Sequence, residues 1–162
     1  HLHKPTGIHV FGAVDDVWVN PNGELHVVDY KATGANQHNV YDSYRRQMEV
    51  YQWLLRQNGH RVSPTGYFVF ARVDKGGGFS DGNGGGKGIL PFHIFVEVYA
   101  GNDAWVEDAI IRADKLLKET EIPPAGKECE YCRYRESGEL ASGQAELKGK
   151  AARSAKPSGL GI

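Results

Sequence analysis

Apolar and polar positions along the chain change their rhythm several times, and each change marks an element. Residues 7–19, GIHVFGAVDDVWV, are rich in Val, Phe and Trp and read as a strand. Asn20-Pro21-Asn22-Gly23 follows. Pro at the second turn position and Gly at the fourth suit a type I turn, so residues 24–33, ELHVVDYKAT, are predicted to return as the second arm of a hairpin. Beyond a polar stretch, Tyr41, Tyr44, Met48, Tyr51 and Leu55 recur at helical spacing. Asn39 is the predicted cap of that helix, with Asp42 three residues on, and the element should end near Asn58. Residues 65–73, TGYFVFARV, give a third strand, and 89–100, ILPFHIFVEVYA, a fourth whose Pro91 suits a strand start or an edge.

Between these strands the glycines from Gly76 to Gly88 cost too much entropy to order alone, and a mobile loop is predicted there. Residues 102–120 predict a second helix, with Val106, Ala109, Ile110, Ala113, Leu116 and Leu117 as its buried stripe and Pro123–Pro124 as its stop. The order is β-β-α-β-β-α: an α/β chain with one mixed central sheet flanked by helices. Residues 1–140 are expected to form the domain, and 141–162, which carry Lys148, Lys150, Arg153 and Lys156, a flexible basic tail.

Composition adds bounds. The 162 residues have the length of one domain, with a formal net charge of −1. No overall basic field advertises a polyanionic partner, although a local groove can be basic on a neutral protein. No apolar run approaches the roughly 20 residues of a membrane span. The opening HLHKPTG has no signal-peptide character, and two cysteines in a CxxC do not make a disulfide scaffold. A cytoplasmic protein without membrane contact is the expectation.

The candidate chemistry lies at the strand ends. Alternation places Asp29 and Lys31 on one face with Leu25 and Val27. In the first strand, Asp15 alternates with Phe11, Ala13, Val17 and Val19, the predicted inward-looking positions. Pairing across the turn would bring Asp15 and Asp29 together from adjacent strands. Two close carboxylates repel unless something positive lies between them, and a divalent cation with oxygen ligands is the natural answer. Lys31 then stands where a phosphate would sit. The plainer reading is a solvated strand end, and a lone D-x-K favours it; an Asp on the hairpin partner shifts the balance. Gln47 and Tyr51, one helical turn apart, share a face, although Tyr51 alone reads as core.

Taken together, GAVD, then VVDYKAT, then QMEVY on a helix resemble the PD-(D/E)XK nuclease superfamily, in its RecB-like branch with the CRISPR-associated exonucleases. The resemblance implies a restriction-endonuclease-like core and a Mg²⁺- or Mn²⁺-dependent deoxyribonuclease, exonuclease rather than endonuclease, acting on single strands or duplex ends. It implies Asp15 and Asp29 as metal ligands with the backbone carbonyl of Tyr30, Lys31 as the catalytic lysine, and Gln47 and Tyr51 as residues that hold DNA and the site. Arg45 and Arg46, just before Gln47, are candidates for the phosphate backbone. Relatives carry a metal-ligand histidine on an earlier helix; His3 is the nearest candidate here. Many also hold an iron–sulfur cluster on four cysteines. Cys129 and Cys132 are only two, a remnant pair that completes no cluster from this chain alone. The rival expectation is a catalytically weak or inactive nucleic-acid-binding or structural subunit of a larger repair or CRISPR complex.

Overall fold

The computed structural model describes residues 1–35, 37, 39–76, 88–121 and 123–154. The chain divides into two units, His1–Lys118 and Glu119–Ile162. Most of the predicted glycine loop, residues 77–87, lies outside the described residues.

The first unit opens with two short strands, β1 (Leu2–His3) and β2 (Ile8–His9), paired antiparallel. A four-stranded sheet follows, in the order β3 (Asp16–Val19), β4 (Leu25–Thr33), β5 (Thr65–Val73) and β6 (Phe92–Ala100). The predicted turn closes β3 onto β4: Gly23 N–H donates to Asn20 C=O at 2.9 Å, and Val19 pairs with Leu25. β4 and β5 run parallel, and β5 and β6 antiparallel. A parallel pair needs a crossover of a dozen or more residues, which α1 (Asp42–Gln57) supplies. The last element of the unit is α2 (Val106–Lys118). The α/β mixed sheet with flanking helices stands as the sequence predicts.

α1 covers one face of the sheet. Val27, Met48 and Phe68 are fully buried there with Phe70, and Tyr44, Tyr51 and Leu55 pack around them. Each such side chain contributes about 1.5–3 kcal/mol through burial. The other side of α1 presents Trp53 and Leu54 to Val106 and Ile110 of α2. The opposite face of the sheet carries Tyr30, Ile94, Val96 and Val98, all exposed.

Several expectations are corrected. The first predicted strand is interrupted: residues 10–15 form no strand, and β3 begins only at Asp16. Phe11 and Ala13 are therefore exposed rather than inward-looking, Val19 is exposed at the end of β3, and Val14 packs on the core. The α1 cap is Tyr41, not Asn39, and no side chain caps the helix. The α2 stripe stops early, since Ala113, Leu116 and Leu117 are exposed. The sequence marks an amphipathic helix, but only its first turns have a partner within α1. In the second unit, α3 runs Glu130–Ser154, straight through residue 140, where the tail was expected to start.

The approach of α1 to the sheet depends on Gly66 of β5. A Cβ built there would lie 2.5 Å from Met48 Sδ and 3.1 Å from the Val27 carbonyl oxygen. Since Met48 is fully buried, the extra methyl has nowhere to displace it. Gly66→Ala is expected to destabilise the protein by about 1–3 kcal/mol, the cost of overpacking. Urea unfolding measures this, and an unchanged midpoint would show that the helix can lift without penalty.

Candidate active site

β4 outruns its hairpin partner. β3 pairs with β4 only as far as Asp16 opposite Val28, whereas β5 pairs on to Thr33. From Asp29 onward β4 is flanked by a strand on one side only. The backbone N–H of Tyr30, which no strand receives, donates instead to Asp15 Oδ2 at 2.9 Å. Asp15 thereby joins the end of β4 from just outside β3. The N–H and C=O of one strand residue point the same way, so the Tyr30 carbonyl faces the same open side. Asp16 goes elsewhere, its Oδ2 accepting from the Tyr30 hydroxyl at 2.8 Å.

On the α1 side of β4, Asp29 is buried and Lys31 nearly so. Lys31 Nζ stands 2.5 Å from Asp29 Oδ2. The contact is an ion pair to a buried oxygen, with angles outside ordinary hydrogen-bond geometry. Lys31 Nζ instead donates to Gln47 Oε1 at 3.1 Å, and Gln47 Nε2 donates to the Tyr51 hydroxyl at 2.9 Å. The ammonium also lies 4.6 Å from the centre of the Tyr44 ring. Burial pushes the Asp29 carboxyl above the usual range; Lys31 opposes this, and Asp15 adds to it. Gly12 completes the arrangement, because a Cβ there would meet the Tyr51 ring at 2.8 Å.

Asp15, Asp29, Lys31, Gln47 and Tyr51 are thus linked in one group, with the Tyr30 backbone at its edge. His3 is not part of it. Its ring nitrogens are taken by Thr6 Oγ1 at 2.7 Å and Glu107 Oε1 at 2.6 Å, fastening β1 to the first turn of α2. Among the described residues, no three of His, Cys, Asp and Glu gather to hold a metal ion. Two carboxylates and a carbonyl still fit a hard cation that keeps several waters, and Asp29, its carboxyl pushed up by burial and by Asp15, is one of them.

Arg45 and Arg46 lie beyond this group, on the side of α1 that faces a cleft against α2. In the second unit Cys129 and Cys132 are free thiols, the Cys132 N–H reaching Cys129 Sγ at 3.4 Å. Hydrogen bonds from Cys132 lower the pKa of the Cys129 thiol, and the hydrogen bond to Cys129 raises that of Cys132. Among the described residues, no helix is long and apolar enough to cross a membrane.

Sequence reasoning missed Glu49. It is buried, and its carboxylate takes three donors: the Tyr99 hydroxyl at 2.7 Å, the Asn102 N–H at 3.0 Å and the Trp105 indole N–H at 2.6 Å. One side chain of α1 thus ties down the end of β6 and the turn into α2. No local signal announces it, since all three partners lie about fifty residues away in sequence.

The family comparison agrees with this geometry. The chain belongs to the PD-(D/E)XK nuclease superfamily, whose sequence model matches residues 3–137. Members of that superfamily are generally nucleases that use divalent metals such as Mg²⁺. No curated protein and no solved structure matches the chain.

Glu49 carries a pH dependence. Burial pushes its carboxyl up, but the Asn102, Tyr99 and Trp105 donors outweigh burial and hold it below the usual glutamate range. The Tyr99 hydroxyl is pushed up to about 12 by burial and by Glu49. A depressed carboxylate stabilises above its unfolded pKa, and that stability is lost as pH falls through the folded value. Glu49→Gln sets an amide N–H₂ against donors. It is expected to cost about 1–3 kcal/mol at neutral pH and to flatten the acid limb of stability. Thermal melts from neutral to acid pH check this; parallel curves for both proteins would exclude the role.

Proposed function

We propose that the chain hydrolyses DNA phosphodiester bonds at the Asp15–Asp29–Lys31 group, with Mg²⁺ or Mn²⁺ as cofactor. The observation that carries this reading is the buried Asp29 carboxylate, with Lys31 Nζ 2.5 Å from its Oδ2 and Asp15 near enough to raise its pKa, the lysine itself being held by Gln47. Asp15, Asp29 and the Tyr30 carbonyl would hold the ion. When bound, it supplies Lewis acidity toward the scissile phosphate and a lowered pKa for a water molecule.

The chain's own residues do the rest. Gln47 accepts one proton of the Lys31 ammonium and so fixes its direction, and Tyr51 fixes the Gln47 amide in turn. Lys31 carries a positive charge, near-buried and pre-oriented, to where negative charge builds on the phosphate oxygens. Tyr44 shields that ammonium from solvent on one side. In this reading water is the nucleophile and no covalent enzyme intermediate forms. The order of motifs around Asp15, Asp29 and Gln47 favours a RecB-like exonuclease working in the cytoplasm in repair, recombination or CRISPR adaptation.

A second reading has its own support. Asp15 and Asp29 are the only two acidic ligands gathered among the described residues, and His3 is engaged by Thr6 and Glu107. A nucleic-acid-binding or structural subunit with the fold but without turnover fits that observation.

Single-turnover cleavage of labelled DNA in Mn²⁺, together with Mn²⁺ calorimetry, separates the two. Lys31→Ala is expected to keep metal affinity and lose cleavage by about two orders of magnitude or more, the scale of a positioned catalytic group. Asp29→Ala should lose both. Cleavage by Lys31→Ala within a few-fold of wild type would remove Lys31 from the mechanism. A wild-type chain that binds DNA but never cuts it would favour the second reading.

A further inference from the structure

α1 and α2 enclose a cleft of about 620 Å³, apart from the Lys31–Gln47–Tyr51 chain. Arg45 and Arg46 reach it from α1 and Arg112 from α2. Its aromatic walls are Tyr99 and Trp105. Charge in the cleft is unbalanced. Glu49 lies at its base, ionised and with both oxygens taken by Tyr99, Asn102 and Trp105, so that with Asp42 two carboxylates face three arginines. Asp42, at the rim and well exposed, meets Arg45 at 3.4 Å. Among the described residues Arg46 and Arg112 have no ion-pair partner. Guanidinium groups converging on one cleft repel unless an anion joins them, and the planar guanidinium fork matches phosphate geometry.

The walls are also pre-organised. The Tyr99 hydroxyl and the Trp105 indole N–H are both taken by Glu49, so these side chains offer ring surface rather than donors. Rigid rings beside cationic side chains are the components of a platform for single-stranded nucleic acid.

We propose that the α1–α2 cleft binds the phosphodiester backbone of a single DNA strand. The proposal rests on DNA being the substrate, and it adds a path along which one strand is held. Arg112 and Arg46 grip the phosphates, while Tyr99 and Trp105 give the strand an apolar wall.

The test is binding of a labelled single-stranded oligonucleotide to the full chain in Ca²⁺, measured by anisotropy across a salt series. Arg46→Gln with Arg112→Gln is expected to weaken binding about tenfold or more and to flatten the log–log salt slope by about 0.7 for each phosphate no longer neutralised. Lys115→Gln, which removes an exposed positive charge of α2 outside the cleft, should leave affinity within about twofold. Equal weakening by the Arg112 and Lys115 substitutions would overturn the proposal, since only a diffuse field would be at work. Circular dichroism confirms that each variant is folded. Wild-type cleavage, followed in parallel, keeps the two ideas apart. Arginine-dependent binding without any cleavage leaves the cleft standing and removes hydrolysis. Cleavage with binding indifferent to both arginines does the reverse.

Discussion

The site depends on a mismatch of strand lengths. β3 stops pairing at Asp16, whereas β4 continues to Thr33 alongside β5. Equal arms would have capped the Tyr30 N–H and C=O with another backbone. The unequal arms leave them open, and a side-chain carboxylate, Asp15, takes the place of the missing strand. This one substitution of side chain for backbone draws Asp15 to the end of β4 that also bears Asp29. It also explains why residues 10–15 abandon strand geometry despite an apolar, β-prone composition.

The second constraint is α1 crossing over the same half of β4. The parallel β4–β5 pair demands a crossover, and this one lays Tyr44, Gln47, Met48 and Tyr51 over the sheet. A charged residue beneath a helix would ordinarily be a folding liability. Here Lys31 finds an amide oxygen, an aromatic face and a neighbouring carboxylate. Close packing enforces this. Gly66 lets Met48 settle, and Gly12 leaves room for the Tyr51 ring, which fixes the far end of the Lys31–Gln47–Tyr51 chain.

What could be read in the sequence follows from how local each feature is. The hairpin was legible because Asn20-Pro21-Asn22-Gly23 is a turn by its own chemistry, and β5 because Thr65–Val73 is uniformly β-prone. Alternation alone placed Asp29 and Lys31 on one face, and helical periodicity placed Gln47 beside Tyr51; the structure joins both pairs. The same reasoning misjudged Phe11 and Ala13, because alternation assumes an unbroken strand and this one begins only at Asp16. It misjudged Asn39 because the chain enters α1 two residues later, at Tyr41, without any capping side chain. Leu116 and Leu117 look buried in periodicity, but α1 meets only the earlier part of α2. Glu49 was invisible altogether, since its meaning lies in Tyr99, Asn102 and Trp105.

The two acidic clusters of α1 and β4 show how one fold sets like groups to unlike uses. Glu49 and Asp29 are both buried carboxylates. Glu49 has three donors and is held ionised, so its burial fastens α1 to the β6–α2 turn. Asp29 has one lysine, at an imperfect angle, and a second carboxylate nearby, and its carboxyl is pushed up. A fully satisfied carboxylate has no capacity left for a ligand, whereas an under-satisfied one raises the free energy of the ligand-free protein and lowers it again when a cation arrives. Two carboxylates against one ammonium also leave the bare site negative, which repels a phosphodiester. A divalent cation reverses that sign, and under the proposed function it would let the same group attract the substrate and act on it. The unmet valence at Asp29 therefore has a physical use that the sealed one at Glu49 lacks.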